Sequence, residues 1–379
     1  MKEGWEYKSL GDVCEILDSR RKPITKNKRE SGTIPYYGAT GILDYVKDYI
    51  FDEKLVLLGE DGAKWGAGEN SAYIVEGKTW VNNHAHALRP KRELLIDELL
   101  VYYLNFANLQ PFITGVTVPK LNQEKMRSIE IPVPSLPEQQ SIVDYLDSAF
   151  VKIDAMKANA EKNLNEAKAL FQASLKEMLE PKEGWEEKKL QDICSDIVDC
   201  PHTTPQKVGF PTQYPCIRTS ELKGGSIDWS SMQYLDEDEY RKRVSRLVPK
   251  ANDIVYGREG TYGDAVLLPD GYSFSLGQRT MLLRPNEIYV IPRFLLYSMI
   301  SSHVYQQAKA KNSGCGVGHV NVKDIKVFKI GIPTIDIQQS IVATLDSLKS
   351  KVDRLQENYN KISQECDALK QAILRQVFE

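Results

Sequence analysis

The sequence predicts an α+β fold: two tandem β-rich α/β globules alternate with two long helices that pair as an antiparallel coiled coil, a pseudo-two-fold internal repeat. Three observations predict it. The stretch 341–376 carries an unbroken 3/4-spaced seam of Ile341, Leu345, Leu348, Val352, Leu355, Tyr359, Ile362, Cys366, Leu369 and Ile373, with no proline or glycine. So narrow an apolar stripe suits a coiled-coil partner better than a globular core. A matching seam runs through Ile142, Leu146, Ala149, Ile153, Met156, Ala160, Asn163, Ala167 and Leu170. Both helices start with Gln-Gln-Ser-Ile-Val, at 139–143 and 338–342, an offset of 199, and Leu-Asp-Ser follows at 146–148 and 345–347. Identical residues in register ahead of matching heptads mark an internal duplication.

The N-terminal element repeats as well. Lys2-Glu3-Gly4-Trp5-Glu6 and Leu10-Gly11-Asp12-Val13-Cys14 return as Lys182-Glu183-Gly184-Trp185-Glu186 and Leu190-Gln191-Asp192-Ile193-Cys194, offset 180. Pro181 and Gly184 stop the first helix before this restart. The growth of the offset from 180 to 199 puts about 19 extra residues in the second globule. Short apolar runs punctuated by Gly and Pro, such as 49–58 and 253–256, read as strands. Helical inserts follow at 94–106 and 292–303. Each globule closes on a Gly-x-x-Val-x-x-[Leu/Val]-Asn phrase, Gly115, Val118, Leu121, Asn122 and Gly314, Val317, Val320, Asn321. Proline-marked strands, 129–134 and 327–333, lead into the long helices, with Ser135 and Glu138 as a capping box for the first.

Composition excludes several classes. The chain has 379 residues, a net charge of −3, no charged-then-apolar leader and no run of 18 apolar residues, so it reads as soluble and cytoplasmic. Its six cysteines form no Cys-x-x-Cys pair, and Cys14 and Cys194 read as small buried hydrophobes. No Asn-Pro-Pro-Tyr or Asp-Pro-Pro-Tyr is present, so no amino-methyltransferase site is expected. Gly59-x-x-Gly62 and Gly257-x-x-Gly260 lack the following Gly-Lys-[Ser/Thr] of a phosphate loop and read as turns.

The duplication allows an internal comparison. Pro35 matches Pro215, and Leu88-Arg89-Pro90 matches Leu283-Arg284-Pro285, whereas the polar residues inside these frames diverge. Tyr36-Tyr37-Gly38-Ala39 faces Cys216-Ile217-Arg218-Thr219, and Asn82-Asn83-His84-Ala85-His86 faces Gly277-Gln278-Arg279-Thr280-Met281. Arg20-Arg21-Lys22, with Lys26, Lys28 and Arg29, faces Pro201-His202-Thr203-Thr204. Asn and Gln pair bidentately with adenine, Arg and Lys with guanine, and Thr reaches base edges or phosphates. The six bases between 20 and 29, with no acid among them, suit phosphate contacts despite the acidic whole. Arg258 lies in the second Gly-x-x-Gly frame and joins the candidate set. His84 and His86 could form a metal pair, but Arg279 and Met281 stand there in the second copy, so no metal is expected.

Taken in order, Ile34-Pro35-Tyr36-Tyr37-Gly38-Ala39, Asp199-Cys200-Pro201-His202, Gly257-Arg258-Glu259-Gly260, the two Gly-Trp-Glu phrases and the two Gln-Gln-Ser-Ile-Val phrases resemble those of type I restriction-modification specificity subunits. The resemblance covers essentially the whole chain. It implies target recognition domains at 1–135 and 181–333 and spacer helices at 136–180 and 334–379, each domain reading half of a split site on double-stranded DNA. It also implies assembly with two DNA adenine methyltransferase subunits and with restriction-translocase subunits, which carry the catalysis, and no cofactor or membrane. Unlike globules imply a non-palindromic target. Two rivals stay open: a coiled-coil scaffold without DNA reading, and a nuclease using Asp61, Glu76 and Lys78.

Overall fold

A computed structural model describes residues 4–115, 117–260, 262–311 and 318–379. Lys2, Glu3, Gly314 and Val317 of the repeated phrases lie outside the described residues. The chain divides into two compact units, Met1–Ala160 with Tyr359–Glu379, and Glu161–Asn358.

In the first unit Glu6–Ser9 pairs antiparallel with Glu130–Val133. Ser9 then caps the short helix Leu10–Val13, accepting from the Asp12 amide. The core sheet has the order Cys14–Ile16, Ala85–Pro90, Leu55–Gly59, Ala72–Val75, all antiparallel. Its strand Leu55–Gly59 is buried along its whole length, as its unbroken apolar run demands. The second sheet has the order Gly41–Val46, Ser31–Gly38, Lys78–Val81, Phe51–Asp52, and its middle pair is parallel. Helix Asp97–Phe106 buries Leu99, Leu100 and Leu104 in the same cluster as Val56, Leu58 and Leu88.

The second unit repeats this topology. Glu186–Lys189 pairs with Lys329–Ile332, and the core sheet has the order Cys194–Asp199, Thr280–Pro285, Ile254–Gly257, Ala265–Leu267. The smaller sheet, Gln233–Tyr234, Pro215–Ile217, Ser275–Leu276, keeps one antiparallel and one parallel pairing. Helices Pro292–Met299 and Ser302–Ala310 pack on the core sheet, in one cluster with Ile254, Tyr256, Ala265, Met281 and Leu283. Among the described residues the helix Glu237–Arg243 has no counterpart in the first unit; Asp236 caps it, with acids in its first turn and bases in its last.

The frames shared by the two copies now have causes. Arg89 holds Glu53 through two bonds of 2.7 and 2.9 Å, and Arg284 holds Asp253 through two of 2.9 and 2.7 Å. Each is a bidentate clamp beside the core sheet. Cys14 and Cys194 both start a core strand, and burial pushes each thiol up to about 12, which makes them inert packing.

The long helices run Leu136–Leu179 and Ile335–Phe378, 44 residues each. The first Gln of each Gln-Gln-Ser-Ile-Val phrase is fully buried and pins the start of its helix. Gln139 accepts from the Ile96 amide and donates to Leu94 and Pro134 carbonyls; Gln338 accepts from Ile291 and donates to Tyr289 and Pro333. In the expected capping box Glu138 instead accepts the Trp5 indole N–H, 2.9 Å.

Within each unit the helix segments run antiparallel. In the first, Lys157 meets Asp367 and Lys370 meets Asp154, and the Cys366 thiol faces the Ile153 carbonyl. Phe378 closes this end, packed by Trp5, Tyr103 and Phe106. In the second, Lys168 meets Gln356, and Phe171, Leu175 and Leu179 share a core with Ile341, Leu345 and Val352.

The seam of the first helix differs from its sequence expectation. Leu146, Ile153, Ala160 and Ala167 face inward, but Leu164 and Phe171 are buried where Asn163 and Leu170 were expected, and Met156 is exposed. Heptad spacing admits either order of 3 and 4 steps, and the larger side chains Phe150, Leu164 and Phe171 select the other one. Asn163 is exposed and lies outside the seam. The second seam holds except at Leu369, which is 47% exposed. Among the described residues no helix is long and apolar enough to cross a membrane.

Candidate nucleic-acid interface

In each unit part of the divergent set lies around the turn Gly59–Gly62 or Gly257–Gly260, where the backbone of His84 or Arg279 is bonded. The turns need their glycines. Gly62 and Gly260 have φ of +72° and +78°, and a Cβ on Gly59 would come within 2.3 Å of Ala63.

In the first unit the Glu60 amide donates to the His84 carbonyl, and the Leu121 amide donates to Glu60, so three loops meet there. Beneath lies a buried charge cluster. Arg21 bridges Asp18 at 3.2 Å and Glu60 at 2.5 Å, and Lys120 reaches Glu60 at 2.6 Å. Buried His86 bonds Asp18 through Nδ1 at 2.6 Å and the Leu121 carbonyl through Nε2 at 2.7 Å. Burial alone would raise the Glu60 carboxyl, but Lys120 and Arg21 outweigh it and hold it below its ordinary value. Asp18 is likewise held low, burial being outweighed by His86 and Arg21. The ligating atoms of Asp18, Glu60 and His86 lie within 4.8 Å of one another. Arg21 and Lys120 already supply the positive charge that a metal ion would bring there.

Asn82 is buried and accepts from the His84 amide; Asn83 and His84 are exposed, and His84 Nδ1 pairs with Asp61. Tyr36 is buried: its hydroxyl accepts from the Ile24 amide, and Arg29 lies 4.4 Å over its ring. Tyr37 is half-buried against Tyr73. Trp80 donates to the Lys22 carbonyl, so the basic run is laid along the sheet with Lys22, Lys26 and Lys28 exposed. Arg20 is occupied by Glu53 and the Ile50 carbonyl.

The second unit rebuilds this place with the charges exchanged. Arg258 stands where Glu60 does and is buried against Asp199, 3.0 Å. Its amide donates to the Arg279 carbonyl and Val320 donates to it, matching the first unit bond for bond. Arg279 is exposed and pairs with Glu259 at 3.5 Å, the partner of Asp61 in the repeat. His202 is exposed and meets Asp199 at 3.2 Å. Thr203 and Thr204 are exposed; Gln278 donates to the His202 carbonyl and to Thr204, and buried Arg243 donates to the Pro201, Thr203 and Leu276 carbonyls. Arg218 is tied to buried Glu221 and the Ser231 carbonyl, with half-buried Thr219 beside it. Gly277 is required there, since a Cβ would meet Arg218 Cγ at 2.3 Å.

The structure thus brings His84 and Asn83 to one exposed edge, and His202, Thr203, Thr204, Gln278 and Arg279 to the other, while Arg21, Tyr36, Asn82, His86 and Arg258 support from below. Sequence reasoning missed Asp18, Glu60 and Lys120, and in the second unit Asp199 and His319. The alignment of Gly59-Glu60-Asp61-Gly62 with Gly257-Arg258-Glu259-Gly260 carried the signal, as an acid facing a base. The nuclease trio is not assembled. Glu76 and Lys78 flank a turn at the start of strand Lys78–Val81, with Lys78 over the Tyr49 ring, whereas Asp61 meets His84 beyond that strand's far end.

The family model described as the type I restriction modification DNA specificity domain matches residues 2–166 and 182–364. A Haemophilus influenzae protein described as a type I restriction enzyme specificity subunit is 28% identical over 365 residues, covering 93% of this chain and 89% of the relative. The EcoKI specificity subunit of Escherichia coli K12 is 21% identical, covering 99% and 85%. Among solved structures, a chain from the complex-assembly study of a type I R-M system superposes with a TM-score of 0.72 at 17% identity, covering 100% and 98%. The HsdS subunit from Thermoanaerobacter tengcongensis gives 0.55 at 17% identity, covering 100% and 97%.

Proposed function

The chain belongs to the type I restriction-modification DNA specificity family, and from that premise we propose how it divides its work. It is the sequence-reading subunit of a modification and restriction complex acting on double-stranded DNA in the cytoplasm. Each unit reads one half of a bipartite site. Two DNA adenine methyltransferase subunits and the restriction-translocase subunits assemble on it and carry out the chemistry.

The observation that carries this reading is one repeated frame bearing two unlike sets of exposed polar side chains. A scaffold would have no use for different donors and acceptors at equivalent places. Two different sets imply two different half-sites, so the full target is not a palindrome. In the first unit His84 and Asn83 face bases and Lys22, Lys26 and Lys28 face phosphates. In the second unit Arg279, Gln278, His202, Thr203 and Thr204 form the reading set. Residues 1–135 and 181–333 are the recognition domains, and the helices 136–180 and 334–379 set the spacing between half-sites.

Binding to a library of random duplexes, by the chain together with its methyltransferase partners, tests the proposal. Selection of one bipartite motif, with log affinity falling steeply as log salt rises, is the expected result. Equal affinity for every duplex at every salt concentration would leave only a scaffold. Methylome sequencing of cells carrying the system should return the same motif.

A further inference from the structure

Asp61 and Glu259 occupy the same place in the two units, and neither belongs to the reading set derived above. Each follows the buried residue, Glu60 or Arg258, whose amide bonds the carbonyl of His84 or Arg279. Each also bridges to a third loop, Asp61 to Lys120 and Glu259 to His319. Their carboxylates sit beside the two most exposed bases of these turns: His84 is 50% and Arg279 55% exposed. Asp61 uses Oδ1 toward His84, which leaves Oδ2 to accept a further bond. Arg279 is held at a φ of 69°, a left-handed conformation rare for a side chain of its size.

Resting on the DNA-reading proposal, we propose that Asp61 and Glu259 are specificity-determining carboxylates, each accepting a hydrogen bond from the exocyclic amino group of one base in its half-site. A carboxylate aimed at DNA is repelled by phosphates, and in the major groove its only attractive partners are the amino groups of cytosine N4 and adenine N6. On either base the neighbouring His84 or Arg279 N–H finds an acceptor beside that amino group: N7 of the same adenine, or O6 and N7 of the guanine paired with cytosine. The pair of acid and base therefore matches a donor next to an acceptor, and rejects thymine and guanine at the acid's position. The acid also orients its partner, whose turn its own backbone closes.

The experiment selects binding sites for the full chain in complex with its methyltransferase subunits, comparing wild type with Asp61→Ala and Glu259→Ala. Asp61→Ala should relax one cytosine or adenine position of the first half-site by roughly five- to 150-fold and leave the second half-site unchanged. Glu259→Ala should do the reverse. The selected base tells cytosine from adenine. Replacing it with the analogue lacking the amino group should weaken wild type by a similar factor and leave the Ala variant unaffected. A uniform gain of affinity for all duplexes would overturn the proposal, because the acid would then only repel phosphate. Loss of a whole half-site with an unchanged melting temperature would overturn it too, since Asp61 would then act only by placing its loop. Absence of any preference in wild type would instead overturn the DNA-reading proposal itself.

Discussion

Tyr297 donates its hydroxyl to Asp346 across 2.5 Å, joining the covering helix of the second unit to its long helix. Tyr102 does the same to Asp147 in the first unit. Here lies the reason Leu-Asp-Ser recurs: Leu146 and Leu345 are fully buried, and the aspartate beside each receives a tyrosine. Arg293 adds a 2.7 Å bond to Asp346. A hydrogen bond to a charged acceptor contributes about 1.5–3 kcal/mol. Tyr297→Phe should therefore destabilise the second unit by about that much, and Tyr102→Phe the first. Urea melts of the two variants check this; a change below roughly 0.5 kcal/mol in both would mean that water replaces the bond at no cost.

Acid should loosen the first unit through its charge cluster. Asp18 and Glu60 are held below their ordinary values of 3.8 and 4.5 when folded. A carboxyl with a depressed folded value contributes stability that is complete above its ordinary value and is lost as pH falls through the folded one. Melting temperature should thus stay level on this account down to about pH 5 and then fall toward pH 3. Glu60→Gln should lower stability at pH 7 by about 1–3 kcal/mol, since it removes the carboxylate that Arg21 and Lys120 share, and should flatten the acid slope. An unchanged slope in that variant would place the acid sensitivity elsewhere.

Arg279→Gly separates stability from reading. A left-handed residue other than glycine costs on the order of 1 kcal/mol, which glycine does not incur. The variant should melt at the same or a slightly higher temperature while the second half-site loses discrimination at one position and the first stays intact. Equal loosening of both halves, read by binding selection, would contradict independent readers.

The helices carry the prediction about spacing. Removing 157–163 together with 360–366 takes one heptad from each, keeps the seams in phase and shortens each helix by about 10 Å. At the edge of these ranges Lys157 meets Asp367. Both half-sites should persist, with a non-specific gap shorter by up to about three base pairs at roughly 3.4 Å each. A folded double deletion that methylates the original spacing would show that the helices do not set it.

Much of the architecture was legible in the sequence because duplication writes each frame twice. The long helices, the strand-rich globules, buried Cys14 and half-buried Cys194 follow from periodicity and repetition. Asn163 misled because a heptad can be stepped in two orders, and only the bulk of Leu164 and Phe171 decides between them. The burial of Gln139 and Gln338 was not legible, since nothing local tells a buried glutamine from an exposed one until the carbonyls of Leu94 and Tyr289 are known. The exposed edges beside the two Gly-x-x-Gly turns were legible as regions, and the burial of their individual residues was not. His86 and Arg258 share composition with their exposed neighbours, and their burial depends on Asp18 and Asp199, whose partnership is made by strand register.

The exchange of Glu60 for Arg258 on one frame bears on how such a molecule changes over generations. A lone substitution of one for the other would set like charges together, Arg258's guanidinium against Arg21 or Glu60's carboxylate against Asp199, in a largely buried place. Point mutation therefore meets a barrier at the floor of each reading edge. The floor and the edge above it must be inherited together. Crossing over within the twice-written Gly-Trp-Glu and Gln-Gln-Ser-Ile-Val segments moves both at once and leaves every joint intact. Exchange of a whole block meets no such barrier, so any breakpoints between related chains are expected in the repeated phrases that flank each block.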